Sequence, residues 1–207
     1  MIHHETPELV VFDVYDTLVS WRHSVEAIAV SKRMPVEHIY ALSRDFAFAT
    51  DVGKITYAEF SEAVTELLEL EEPSYGERVI GGLQPIEPML ELLHDFIASG
   101  SQVALATNVG KGALHLTFER SDILPPIGSF AHIFQSCDIG LVKPDRAFFA
   151  HIEAVTGIAP HRIVFLDDNP DNVDAALNQG WGAHLVDPDN FKASADEIRR
   201  YHMPHPG

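Results

Sequence analysis

The sequence predicts an α/β fold: a parallel sheet with helices on both faces, interrupted by an inserted helical block. Short apolar runs alternate with helix-period segments over most of the chain, the pattern of a sheet built from strand–helix–strand units. One long helical stretch separates the first apolar run from all the others. With 207 residues, the chain has room for one main domain and a small insertion.

The first strand is read at Leu9 to Phe12, four consecutive apolar residues. A long helical stretch follows from about Ser24 to Leu70. Within it Thr56-Tyr57-Ala58-Glu59 has the form of a capping box, and Tyr57, Phe60, Val64, Leu67 and Leu68 repeat at helical spacing. Glu71 to Gly76 reads as a loop, and Gly81-Gly82 as a breaker ending the block. Pro88 and Gly100 bracket a helix from Met89 to Ser99. Then come a strand from Gln102 to Ala106, a helix after Gly112, and a short strand from His132 to Phe134. A helix from Asp145 to Thr156 stops at Gly157, and a strand runs from Arg162 to Leu166. The next helix reaches about Asn178 before Gly180, and a last strand spans Gly182 to Val186.

Composition narrows the functional classes. Lys and Arg number 14 against 31 Asp and Glu, a formal charge of −17. So acidic a surface repels phosphate backbones and anionic headgroups, which argues against nucleic-acid and membrane-surface roles. Cys137 is alone, so no internal disulfide or thiolate metal cage can form, and a reducing, cytoplasmic location is expected. The apolar runs are far shorter than a transmembrane helix, and Met1 to Glu5 lacks the character of a signal peptide. The twelve histidines show no helical metal pair: His3, His4, His202 and His205 crowd the termini, while His115, His132, His151 and His161 are scattered. No mark of an oligomeric state is present.

Ligands of open parallel sheets sit beyond the carboxyl ends of the strands. The residues there are Asp13-Val14-Tyr15-Asp16-Thr17 after the first strand, Thr107-Asn108 after the second, and Asp167-Asp168-Asn169 after Leu166. Lys143, in Gly140 to Asp145, precedes a helix. Each alone is ordinary: an Asp after a strand usually caps a turn, and a single lysine is usually solvated. Several strands delivering carboxylates, a hydroxyl and an amine to one edge is not ordinary. Such carboxylates repel unless a cation balances them, and together they suit Mg²⁺.

The ordered set Asp13-x-Tyr15-Asp16-Thr17-Leu18, Thr107-Asn108, Lys143-Pro144 and Asp167-Asp168-x-x-x-Asn172 resembles the haloacid dehalogenase superfamily over about Leu9 to Val186. The segments Phe134 to Pro144 and Val164 to Val173, with Gly53-Lys54-Ile55-Thr56, look most similar to the α-D-glucose-1-phosphate phosphatase-like branch. The resemblance implies a Rossmann-like core from 1–19 and 85–207 and a helical cap from 20–84. It implies a Mg²⁺-dependent phosphatase of small phosphorylated metabolites such as sugar phosphates. Asp13 would be the nucleophile, forming an aspartyl-phosphate. Asp13, the Tyr15 carbonyl and Asp168 would hold Mg²⁺. Thr107 and the Asn108 amide would bind phosphoryl oxygens, and Lys143 would balance the charge of nucleophile and phosphoryl group. Asp167 and Asn172 would orient the metal site.

One position departs from the pattern. Most phosphatases of this superfamily carry a second Asp two residues after the nucleophile, as general acid and base; here it is Tyr15. That leaves the leaving group without an obvious proton donor. Asp16 is read as a turn cap, its catalytic use being the alternative. Asp-x-Tyr also occurs in metal-independent 2-haloacid dehalogenases, which makes dehalogenation the rival activity; the added pair Asp167-Asp168 favours metal and phosphoryl transfer. A phospho-acceptor receiver module is disfavoured because its acidic pair follows the first strand. A non-catalytic binding protein on a degraded phosphatase scaffold is the remaining alternative.

The cap should choose the substrate. Arg22 and Arg44 are candidates for its polar part, with Trp21, Phe46 or Phe48 against a ring; the plainer reading puts the aromatics in the cap core and the arginines in ion pairs. Junctions near Val19 to Trp21 and Gly82 to Ile86 are expected to hinge the cap.

Overall fold

The computed structural model describes residues 7–120 and 123–203. The N-terminal reading at Met1 to Glu5, with His3, His4 and His205, falls outside them. The elements run β1 (Leu9–Phe12), β2 (Val19–Ser20), α1 (Arg22–Lys32), α2 (Val36–Asp51), α3 (Tyr57–Leu67), α4 (Tyr75–Gly81), β3 (Gln84–Pro85) and α5 (Glu87–Ala98). They continue with β4 (Gln102–Thr107), α6 (Ala113–Glu119), β5 (His132–Gln135), α7 (Ser136–Ile139), α8 (Arg146–Thr156), β6 (Ile163–Asp167), α9 (Pro170–Asn178), β7 (Gly182–Leu185) and α10 (Phe191–His202).

Five strands form a parallel sheet in the order β5-β4-β1-β6-β7. Strand β1 is central, paired with β4 on one side and β6 on the other, and all four of its residues are buried. Burial on both faces explains the uninterrupted apolar run. The pleat sends Val10 and Phe12 to one face, where α5 supplies Met89, Leu93 and Phe96 and α10 supplies Ala195 and Ile198. It sends Leu9 and Val11 to the other, against Phe148, Phe149 and Ile152 of α8 and Trp181. This is the predicted α/β fold, a parallel sheet with helices on both faces.

The helical block between the first strand and the rest has a core of its own. Val25 and Ile28 of α1, Ile39 of α2, Phe60 and Val64 of α3, and Tyr75 and Val79 of α4 pack together. The continuous helical stretch expected from Ser24 to Leu70 is three helices. Arg33 turns left-handed at φ 53° after α1, and Gly53 does so at φ 74° after α2. The capping box at Thr56 forms, with Glu59 closing it. A second capping box at Ser74 and Glu77 starts α4, a helix absent from the sequence reading. The amphipathic helix α10, beyond the last predicted strand, is also an addition.

The chain enters the helical block through β2 and leaves through β3, which pair antiparallel as Val19↔Pro85 and Ser20↔Gln84. Away from this ribbon the block is seated on the core at several points. The Tyr57 amide donates to the Lys111 carbonyl at 3.0 Å. Arg120, beyond α6, donates to the carbonyls of Ile80 and Gly81 at the end of α4. Two glycines permit close approach: a Cβ on Gly110 would collide with the Thr50 methyl, and one on Gly53 with the Cys137 carbonyl oxygen.

Candidate active site

Asp13 is the residue at which β1 leaves the sheet, its amide still bonded to the Leu166 carbonyl at 2.9 Å. Thr107 ends β4 and Asp167 ends β6, the two neighbours of β1. Parallel pairing therefore puts a carboxylate, a hydroxyl and a second carboxylate side by side at one edge. Lys143 reaches the same edge from the loop before α8. Its ammonium donates to Asp13 Oδ1 and to Asp167 Oδ2, each at 2.7 Å. Lys143 is 4%, Asp13 7% and Asp167 0% exposed, so the three act as one desolvated unit rather than as surface ion pairs.

The supporting bonds divide the carboxylates by role. Asp167 is saturated: beside Lys143 it accepts from the Asn169 amide at 2.8 Å and from Asn172 Nδ2 at 3.0 and 3.1 Å. Asp13 keeps one oxygen outside the Lys143 bond. Among the described residues Asp168 meets only the Arg22 guanidinium, at 3.5 Å. Burial pushes Asp13 up to about 7, with Lys143 opposing and Asp167 and Asp168 adding to the rise. Burial likewise raises Asp168 to about 6, helped by Asp167 and Asp16. Both shifts come from the burial of crowded carboxylates that their own side-chain cations do not balance.

Asp13, Asp167 and Asp168 present oxygens within 4.8 Å of one another. With Asp16 they make four carboxylates against two cations, Lys143 and Arg22, an excess that a divalent ion would cancel. Hard oxygen donors of this kind fit Mg²⁺. Because Asp167 is already saturated, Asp13 and Asp168 are the side chains with oxygens to offer.

Asn108 does something the sequence did not indicate. Its side-chain amide donates to the Lys143 carbonyl at 2.8 Å and accepts from the Lys143 amide at 2.9 Å. The side chain is thereby committed to holding the lysine's backbone. The Thr107 hydroxyl is buried, lines the cavity and has no hydrogen-bond partner among the described residues. A buried hydroxyl without a partner is costly unless a ligand meets it.

Tyr15 is tied down, its hydroxyl 2.9 Å from Thr117 Oγ1 and its ring against Trp21. Asp16 stands at φ 59° and accepts from Ser20, from Trp21 Nε1 at 2.7 Å and from Arg22 Nε. All of these donors are side chains, so Asp16 ties the turn after β1 to the start of α1 and is not seen capping a backbone amide among the described residues. Arg22 reaches the site as the ion-pair partner of Asp16 and Asp168. Arg44 does not reach it: the residue is exposed on α2, as are Phe46 and Phe48. The helix turns Ser43, Ala47, Thr50 and Asp51 inward, and residue 44 lies off that stripe.

A cavity of about 330 Å³ opens between the sheet edge and the helical block. Asp13, Thr107, Lys143 and Asp168 lie at its floor, and Trp21, Ala47, Asp51, Tyr57, Phe60, Val79 and Ile80 come from the helical side. Asp51 is the charged lining residue that the sequence did not single out. Its signal was helical phase, since it shares a face with Ser43, Ala47 and Thr50.

A family profile for haloacid dehalogenase-like hydrolases matches residues 7–180. The chain belongs to that family. It is 31% identical over 108 residues to the sesquiterpene phosphatase astK of Aspergillus oryzae (strain ATCC 42149 / RIB 40), a match spanning 52% of this chain and 54% of that protein. The chain thus aligns with about half the length of this curated relative. Its fold is similar to that of a HAD family enzyme of Bacteroides thetaiotaomicron in complex with magnesium and inorganic phosphate. Identity there is 18%, the TM-score 0.70, and 88% of this chain and 95% of that one are covered. The fold is also similar to L-2-haloacid dehalogenase from Xanthobacter autotrophicus with chloropropionic acid covalently bound. For that enzyme identity is 19% and the TM-score 0.65, over 87% of this chain and 77% of that one. At such identities the likeness is one of fold. Among the described residues no helix is long and apolar enough to cross a membrane.

Proposed function

We propose that this hydrolase is a Mg²⁺-dependent phosphatase of small phosphoric monoesters, acting through an aspartyl-phosphate on Asp13. The observation that carries the reading is the buried triad of Asp13, Lys143 and Asp167, with the unpartnered Thr107 hydroxyl beside it. Asp13 attacks phosphorus, the bond from phosphorus to the leaving oxygen breaks, and water later cleaves the acyl phosphate to restore the carboxylate. Lys143 steadies Asp13 and the phosphoryl oxygens in a site where burial strengthens every charge. Thr107 donates to a phosphoryl oxygen. Asn108 keeps Lys143 in place, and Asp167 with Asn172 holds it from the other side. Asp13, the Tyr15 carbonyl and Asp168 would hold Mg²⁺, which would supply neutralisation of the dianionic phosphoryl group.

In this reading 1–19 and 85–207 form the catalytic core and 20–84 a cap that covers it. The substrate is a small phosphate ester met by the cavity's mixed walls. Sugar phosphates belong in the test panel, and so do prenyl phosphates. Trp21, Phe60, Val79 and Ile80 make the cap side largely apolar, and the curated relative is a sesquiterpene phosphatase. Arg22 stands at the rim, where a polar substrate group could share it with Asp168.

The test is phosphate release from that panel with and without Mg²⁺, using Asp13→Asn as control. Mg²⁺-dependent release lost in Asp13→Asn is the expected result. Metal-independent chloride release from 2-chloropropionate would instead establish the dehalogenase reading that Tyr15 keeps open, and silence in both assays from folded protein would favour a binding role.

A further inference from the structure

If this chain is a phosphatase, its chemistry needs a proton that the sheet-edge residues cannot give. The position that usually supplies it is Tyr15, whose hydroxyl is held by Thr117. Asp16 is occupied by Ser20, Trp21 and Arg22. Asp167 is saturated, Asp168 pairs with Arg22, and Lys143 is shared between two carboxylates. The Tyr57 hydroxyl donates to the Gly76 carbonyl. One acid lining the cavity remains. Asp51 has no hydrogen-bond or ion-pair partner among the described residues, and it is half-buried at the end of α2.

It lies on the helical wall of the cavity, across from the sheet edge. Displacement at phosphorus is in line, so the leaving oxygen departs on the side opposite Asp13. Asp13 is on the sheet edge, and the side opposite is the helical wall that carries Asp51. That end of α2 is also fixed in position. Thr50 fits against Gly110, where any side chain would collide, and Gly53 lies on the Cys137 carbonyl. Tyr57 bonds Lys111. The segments before and after Asp51 are therefore pinned to the loops that follow β4 and β5.

We propose that Asp51 is the general acid and base of this site. Resting on the phosphatase reading, it gives its proton to the leaving oxygen as the bond to phosphorus breaks. The resulting carboxylate then takes a proton from the water that attacks the aspartyl-phosphate, which restores the acid. The same position serves both steps because the water enters where the leaving group left. Burial, opposed by Lys143, raises the Asp51 carboxyl to about 6, near enough to neutrality to hold and release a proton. Lys143 and the Cys137 thiol are the titratable groups that sense it from the core side.

The experiment compares Asp51→Asn with the wild type, both full-length and Mg²⁺-loaded, on an alkyl phosphate and on p-nitrophenyl phosphate. An alkoxide leaves badly without a proton; nitrophenolate leaves without help. Asp51→Asn should lose about 10²- to 10⁴-fold in kcat/KM on the alkyl ester and little on the aryl ester. On the aryl ester it should show a burst of nitrophenolate followed by slow turnover, because hydrolysis of the aspartyl-phosphate has lost its base. Asp51→Glu should recover part of the alkyl-ester activity. Equal losses on both esters without a burst, or no loss on either, would overturn the role while leaving the phosphatase reading intact. No phosphate release by the wild type from either ester or from the substrate panel would sink that reading and the proposal with it.

Discussion

Lys143→Met would remove the ammonium from the buried triad while keeping most of the side chain's volume. The wild-type ammonium sits 2.7 Å from both Asp13 and Asp167, so the variant leaves two buried carboxyls facing each other across the lost cation. Breaking a buried ion pair from one side costs about 3–5 kcal/mol, a large fraction of the roughly 5–15 kcal/mol that stabilises a typical domain. The loss should depend on pH in the metal-free protein. Lys143 holds the raised Asp13 carboxyl down, so without it that carboxyl rises further above its unfolded value near 3.8. The folded protein then holds a proton that the unfolded chain has released. Stability is therefore greatest at low pH and falls as pH rises through that window. Urea unfolding in chelator should show the full deficit at about pH 7.5 and a clearly smaller one at about pH 5. Equal deficits at both pH values, or a deficit below about 1 kcal/mol at the higher one, would refute the argument that these groups behave as one buried unit.

Thr107→Val should leave urea stability unchanged or slightly higher, because the hydroxyl has no bond to lose, while phosphate release falls by about tenfold or more. Asn108→Ala removes both side-chain bonds to the Lys143 backbone and should cost about 1–3 kcal/mol in unfolding, with activity falling as the ammonium loses its seat. Arg22→Gln frees Asp168 from a half-exposed cation, so calorimetry should find Mg²⁺ bound about two- to fivefold more tightly. Asp51→Asn removes a carboxyl raised to about 6. Such a group costs stability above that pKa and costs nothing below its unfolded value, so the variant should be about 1–2 kcal/mol more stable at neutral pH and no more stable near pH 3.5 in thermal or urea unfolding.

The parallel sheet was legible because burial on both faces demands unbroken apolar runs, and Leu9 to Phe12 is such a run. The shared edge was legible because parallel strands end together: Asp13, Thr107 and Asp167 had to meet once β1 lay between β4 and β6. The breaks in the helical stretch were harder to see. Arg33 adopts a left-handed turn that no glycine announces. The role of Asn108 was hidden because its partner is backbone thirty-five positions away, and no side-chain pattern encodes that. Arg44 and Asp51 show the same limit from two sides. Both lie on α2, and only the packing of that helix decides which of them faces the cavity.

The β2–β3 ribbon has a consequence for how such a chain can vary. Because Val19 and Pro85 are paired neighbours, the two ends of the insertion are already side by side, and the core sheet feels only that short distance. Whatever lies between them can lengthen, shrink or be exchanged at little entropic cost, since closing a longer loop adds only about 0.6 kcal/mol per doubling. The sheet edge that carries Asp13, Lys143 and Asp167 and the helical block above it are thus free to change independently. One set of sheet-edge residues can sit beneath many different insertions.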